Sequence, residues 1–203
     1  RVSFHWAKVQ SGGENNWTPE ISQEQLEGEI PAGRMVVGLL IGIPEWARAE
    51  DGLPSGLWWA HDEPANTLAN YVRRAASTFA GQIDHWIIWN EPDIHDTEIA
   101  HTWDGSVADF AQLLRVAYLA AKEANPQSII HLPAFTYWAD YYAGTEQYMA
   151  RLLDEIMADR GDGLTADGRC RLPPSFNTEE HFSVPLSHAE ELWSPDLQVQ
   201  IIE

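Results

Sequence analysis

The sequence predicts an α/β fold: an incomplete (β/α)8 TIM barrel forming a single domain over residues 1–203. Three observations lead there. Strand-like apolar runs alternate with amphipathic helical stretches, which is the pattern of a parallel sheet layered with helices. The central runs are apolar throughout, as strands buried on both faces are. Long loops follow the strands, whereas the turns leading back into strands are short, which suits a barrel carrying its functional loops at the strands' C-terminal ends. No Gly-rich turn follows a strand, so a doubly wound dinucleotide-binding sheet lacks its fingerprint. A complete barrel takes about 250 residues, and this chain holds roughly six of the eight units.

The elements follow in order. Residues 1–7 (RVSFHWA) alternate polar and apolar, as a half-buried strand does. Residues 35–43 (MVVGLLIGI) form a continuous apolar strand that Pro44 stops. A Gly/Pro/Trp loop over 51–64 leads to a helix over 65–79, where Leu68, Val72, Ala75 and Phe79 recur at helical spacing. Residues 85–89 (HWIIW) are a short strand, and a loop over 90–105 follows. The helix over 106–125 has Ser106 as N-cap, a stripe of Val107, Phe110, Leu114, Ala117 and Ala121, and Pro126 just past its end. Residues 129–134 form the next strand and 146–160 the next helix, with Tyr148, Leu152 and Ile156 on one face. Farther on, 162–177 is Gly/Pro-rich without a clear period. Residues 182–186 are expected to be a strand, 188–193 a short helix and 197–202 (LQVQII) a strand. Both ends read as cut within a longer chain, and with no leader visible the compartment stays open, periplasm and secretion included.

Charge narrows the function. Lys plus Arg is 12 and Asp plus Glu is 31, giving a net charge of −19. Nucleic-acid phosphates and anionic membrane surfaces both call for a basic face. The balance fits a soluble protein acting on neutral or cationic small molecules. The longest apolar run falls far short of the ~20 residues a membrane helix needs. Cys170 is the single cysteine, which excludes an internal disulfide and a Cys-rich zinc site. The ten tryptophans divide between core packing and platforms on which sugar rings stack.

The most informative stretch is Trp86-Ile87-Ile88-Trp89-Asn90-Glu91-Pro92-Asp93. An apolar strand runs directly into an Asn-Glu pair, and Pro92 ends it. In a barrel this places Glu91 at the C-terminal lip, where catalytic residues sit. Neighbouring tryptophans are expected to desolvate its carboxyl and raise its pKa, as a general acid at neutral pH requires. The competing reading is a surface or capping Glu, although caps favour Ser, Thr, Asp or Asn.

This strand resembles the acid/base strand of clan A glycoside hydrolases, and more narrowly that of the family 39-type β-xylosidases and related bacterial glycosidases. The resemblance covers about residues 1–160. FHWAKVQ with Trp17 is similar to strand two and its loop, VVGLLIGIPEWA to strand three, WIIWNEPD to strand four and IIHLPAF to strand five. The chain would then carry about strands two to seven. The resemblance implies retaining hydrolysis of an O-glycosidic bond by two glutamates, without metal or cofactor, on a carbohydrate substrate. Glu91 would be the general acid/base, and Asn90 would hydrogen-bond the sugar 2-hydroxyl. Glu203, following LQVQII, matches the nucleophile position at the end of strand seven; Glu179, Glu180, Glu190 and Glu191 end no apolar strand. One stretch departs from the family pattern: Pro185 interrupts residues 181–188, where strand six belongs.

Trp46, Tyr137 and Trp138 follow strands and are candidate sugar platforms, with packing the alternative for each. His5 lies on the first strand and is either a pocket residue or a core histidine. Asp93, His95, Asp96, Glu98 and His101 cluster after the 85–89 strand. Their spacing matches no metal-ligand motif, and a solvated acidic loop is expected. Two other functions remain open from sequence: a non-catalytic carbohydrate-binding relic of the barrel, and a metal-dependent hydrolase on the same scaffold.

Overall fold

The structure of the chain, a computed structural model, describes residues 1–21, 23–29, 32–94 and 101–158. The strands expected over 182–186 and 197–202, the helix over 188–193 and Glu203 lie outside the described residues. Four strands, β1 (Val2–His5), β2 (Val37–Ile41), β3 (His85–Ile88) and β4 (Ile129–His131), form one parallel sheet in the order β1-β2-β3-β4. Around them lie α1 (Trp6–Val9), α2 (Gln23–Glu29), α3 (Thr67–Thr78), α4 (Val107–Ala124), α5 (Tyr137–Ala143) and α6 (Tyr148–Ala158), with a short 3-10 turn at Glu45–Ala47. Strand, helix and neighbouring parallel strand recur in sequence order, which is the α/β architecture expected. Four strands are what the described residues show of it. Among the described residues no helix is long and apolar enough to cross a membrane.

Register assigns the two faces of the sheet. Phe4 pairs with Leu40 and Leu40 with Ile88; Gly38 pairs with Val2 and with Trp86. Side chains alternate along a strand, so Phe4, Leu40, Trp86 and Ile88 share the face that packs into the main core with α3 and α4. Phe4, Phe79 and Trp86 form an aromatic knot, with Trp86 5.6 Å from Phe4 and 6.3 Å from Phe79. Gly38 makes that knot possible: a Cβ there would stand 2.4 Å from the Trp86 ring. The opposite face carries Ser3, His5, Leu39, Ile41, His85, Ile87 and His131. On it His85 Nδ1 and His131 Nε2 are 2.9 Å apart with nearly parallel rings.

The helices begin where their caps are. The Asn66 side chain accepts from the Ala69 N–H (3.1 Å) at the start of α3. Ser106 and Asp109 make a reciprocal capping box at the start of α4. The first strand is shorter than the 1–7 expectation. It stops at His5 because Trp6 turns inward to stack on Tyr71 (4.8 Å, 8° between planes), starting a one-turn helix. The long connection from β2 to α3 is fastened to α4: Trp58 Nε1 donates to Asp109 Oδ1 (2.9 Å) and Gln112 Nε2 to the Leu57 carbonyl (3.0 Å). Of the nine tryptophans among the described residues, Trp6, Trp86, Trp89 and Trp103 are buried, and Trp17, Trp46, Trp58, Trp59 and Trp138 are half-buried. Packing accounts for much of the tryptophan surplus.

Candidate active site

Because the strands are parallel, the residues that follow them collect at one end of the sheet. His5 ends β1, Trp46 follows β2, Asn90 and Glu91 follow β3, and Tyr137 and Trp138 begin α5 after β4. The candidates singled out from the sequence therefore lie along one edge of the sheet.

The exit from β3 has an unusual backbone. The Trp89 N–H donates to the Leu40 carbonyl (2.8 Å), extending the ladder by one residue, but Trp89 has φ 73°. Glu91, two residues on, has φ 49°. Left-handed conformations are uncommon outside glycine, especially for a bulky residue, and cost about 1–3 kcal/mol each unless their surroundings impose them. The surroundings here do so. The Trp89 ring is buried edge-on against Trp103 at 5.3 Å, and its Nε1 donates to Thr102 Oγ1 (3.2 Å). Thr102 Oγ1 in turn donates to the Asn90 carbonyl (3.1 Å). The Glu91 N–H donates to the Ala134 carbonyl (3.0 Å), tying the end of β3 to the segment after β4. Glu91 is thus half-buried, on a backbone locked from both sides.

The remaining candidates differ in what they do. Trp46 is half-buried, lies edge-on to Trp6 at 6.0 Å, and spends its Nε1–H on the Gln10 carbonyl (2.7 Å). Its placement serves packing at the lip. The His5 backbone N–H donates to Glu20 Oε2 (3.2 Å), and its side chain is half-buried. Tyr137 is 72% exposed, and Trp138 beside it is half-buried.

The acidic cluster after β3 is corrected in part. Asp93, expected in a solvated loop, is completely buried. Its Oδ2 accepts from the Thr136 N–H (2.6 Å) and the Thr136 hydroxyl (2.8 Å). Burial pushes its carboxyl pKa up, and the Thr136 hydrogen bonds oppose that rise. His101 is also engaged: Nδ1 pairs with the Ile94 carbonyl (2.8 Å) and Nε2 with Asp104 Oδ1 (2.9 Å). Acceptance by the Ile94 carbonyl, then the Asp104 carboxylate, raises its pKa. Asp104 also binds Arg48 Nη1 (3.1 Å), linking the loops after β2 and β3. Among the described residues no group of three or more His, Cys, Asp and Glu is placed to hold a metal ion. Sequence reasoning missed Asp93 and Thr136 as a pair, since 43 residues separate them and neither lies in a motif with the other.

No family model matches the sequence, and no curated protein matches it. Solved structures do align with it in part. A family 39 glycoside hydrolase from Bacteroides cellulosilyticus WH2 has 16% identity and a TM-score of 0.45, covering 65% of this chain and 25% of that one. Fpglu1 from Fervidobacterium pennivoraus has 17% identity and a TM-score of 0.49, over 76% and 44% of the two chains. Xylanase XynB from Paenibacillus barcinonensis has 18% identity and a TM-score of 0.47, over 75% and 46%. The chain therefore spans less than half the length of each of these proteins.

Proposed function

We propose that the chain is part of a retaining glycoside hydrolase acting on a carbohydrate, with Glu91 as its general acid/base. The observation that carries the reading is the locked, left-handed backbone at Trp89 and Glu91, flanking Asn90 at the C-terminal end of a buried parallel strand. Strain of this kind collects where a side chain must be presented in one geometry. A half-buried carboxyl beside an amide side chain offers what glycoside cleavage needs: a proton for the leaving oxygen and a hydrogen-bond partner for the sugar 2-hydroxyl. In this proposal Glu91 protonates the departing oxygen, then takes a proton from the water that releases the sugar. Asn90 holds the 2-hydroxyl. Glu203 is the proposed nucleophile; a retaining pair works at about 5–5.5 Å separation. His5, Trp46, Tyr137 and Trp138 are proposed to border the sugar along the same edge.

The test is covalent trapping. The full-length protein is incubated with a panel of 2-fluoro-glycosides, which slow release of a glycosyl-enzyme, followed by intact-mass measurement and peptide mapping. An adduct on Glu203 is the expected result, and it names the sugar. An adduct on another carboxylate keeps the reaction class and replaces the nucleophile. Absence of any adduct, with sugar binding retained by the Glu91→Gln variant, overturns the hydrolase in favour of a binding protein.

A further inference from the structure

Asp93 is where the lip spends a completely buried carboxylate, and nothing in the proposed reaction uses it directly. Two residues before it, the Glu91 N–H reaches across to the Ala134 carbonyl; Asp93 Oδ2 reaches across to both donors of Thr136. The two links run in parallel between the segments following β3 and β4. They bracket Pro92, itself buried. The other carboxylate oxygen, Oδ1, is buried with no hydrogen-bond partner among the described residues. A buried carboxylate with one oxygen unsatisfied is costly to stability. A residue that weakens the fold while fixing the backbone beside a left-handed Glu91 is placed for geometry.

We infer that Asp93 is a positioning residue for Glu91, acting as a strut to Thr136 that holds the left-handed turn in place. This rests on the reading of Glu91 as the acid/base. Removing the strut leaves Glu91 N–H to Ala134 as the one described hydrogen bond between the strained turn and the segment after β4, with Thr102 still holding the turn from its other side. The carboxyl of Glu91 then moves relative to the scissile oxygen, and displacement of a reacting group by about 1 Å costs on the order of 10²-fold in rate. The bridging atom is an acceptor, so its hydrogen-bonding capacity rather than its charge is what the strut requires. An asparagine at 93 can put its carbonyl oxygen where Oδ2 stands and accept the same two bonds.

The experiment compares Asp93→Ala, Asp93→Asn and Thr136→Val in the full-length protein by two readouts. The first, independent of any activity, is amide hydrogen exchange at Glu91. It should quicken about tenfold or more in Asp93→Ala and stay near the parent rate in Asp93→Asn. The second is turnover of 2,4-dinitrophenyl and phenyl glycosides of the common pentoses and hexoses. A phenolate needs protonation to leave and a dinitrophenolate does not. Asp93→Ala should therefore lose about 10²-fold on phenyl glycosides and much less on dinitrophenyl ones. Asp93→Asn should recover most of that loss. Thr136→Val, which keeps the N–H donor, should show a smaller loss of the same pattern and serves if the alanine variant does not fold. Equal losses on both leaving groups, an unchanged Glu91 exchange rate in a folded Asp93→Ala, or an Asp93→Asn as impaired as the alanine variant would each overturn the strut. If Glu91→Gln leaves phenyl glycoside turnover intact, the acid/base reading fails instead, and the exchange data still decide whether Asp93 holds residue 91.

Discussion

The body of the sheet and its C-terminal lip are built on opposite terms. In the body, Phe4, Leu40, Trp86 and Ile88 bury apolar surface against α3 and α4, and Gly38 yields its side-chain space to the Trp86 ring. Apolar packing favours the fold there, against one local cost, the Trp86 Nε1–H buried with no hydrogen-bond partner among the described residues. At the lip, a few residues after β3, two non-glycine residues sit at positive φ and a carboxylate is buried with one oxygen unsatisfied. The fold tolerates the lip because the body is over-determined. The difference separates residues that make the structure from residues the structure supports.

The sharpest test of the body is Trp86→Ala, which should lower stability by about 3–5 kcal/mol through the void it leaves. Gly38→Ala should cost about 1–3 kcal/mol by overpacking against the same ring. In a Trp86→Ala background the Gly38→Ala cost should vanish, because both changes act on one volume. Denaturant unfolding of the four proteins closes this cycle; additive losses would mean that Gly38 does not serve Trp86.

The second expectation concerns the other sheet face. Burial first, and then the neighbouring His85, push the His131 pKa down to about 4, so the folded protein keeps this imidazole neutral. The unfolded chain binds that proton near 6.5. The unfolded state therefore holds more protons between the two values, and stability falls as the pH drops from about 6.5 to about 4. The shift corresponds to about 2 kcal/mol once partial solvent screening is allowed for. His131→Gln should flatten that stretch of the stability–pH curve; a curve unchanged by the substitution would remove His131 as its cause.

The smallest effect has the opposite sign. Glu91→Gly should raise stability by about 1 kcal/mol, since glycine adopts φ 49° without steric cost. The same variant should abolish turnover in the proposed hydrolase. A loss of stability would show that the Glu91 side chain belongs to the body of the fold.

Much of the body is legible in the sequence because its signals are local. Ser106 with Pro126, and the Leu68–Val72–Ala75–Phe79 stripe, announce α4 and α3 within a residue or two of their ends. The short helix α2 escapes because Leu26, buried among polar neighbours in the sequence, gives no period. Helix α5 escapes because its seven residues, Tyr137–Ala143, bury only Asp140 and so show no apolar core stripe. At the lip the Asn-Glu-Pro run marks the place, yet its conformation is hidden, since positive φ is signalled by Gly or Asn and neither occupies position 89 or 91. The burial of Asp93 is hidden too. Within the run DIHDTE it reads as one solvated charge among several, and its partner Thr136 belongs to a different unit of the fold.

The loop joining β2 to α3 bears on how the lip can move. Trp58 takes Asp109 as its acceptor, the residue whose other oxygen completes the cap of α4. Swinging that loop outward would break the Trp58 bond, release Leu57 from Gln112, and draw on the carboxylate that holds the first turn of α4. Loop and helix start must therefore loosen together, on the slow timescale of local unfolding rather than the fast one of a free flap. That loop is therefore a fixed part of the framework around the start of α4 rather than a flap.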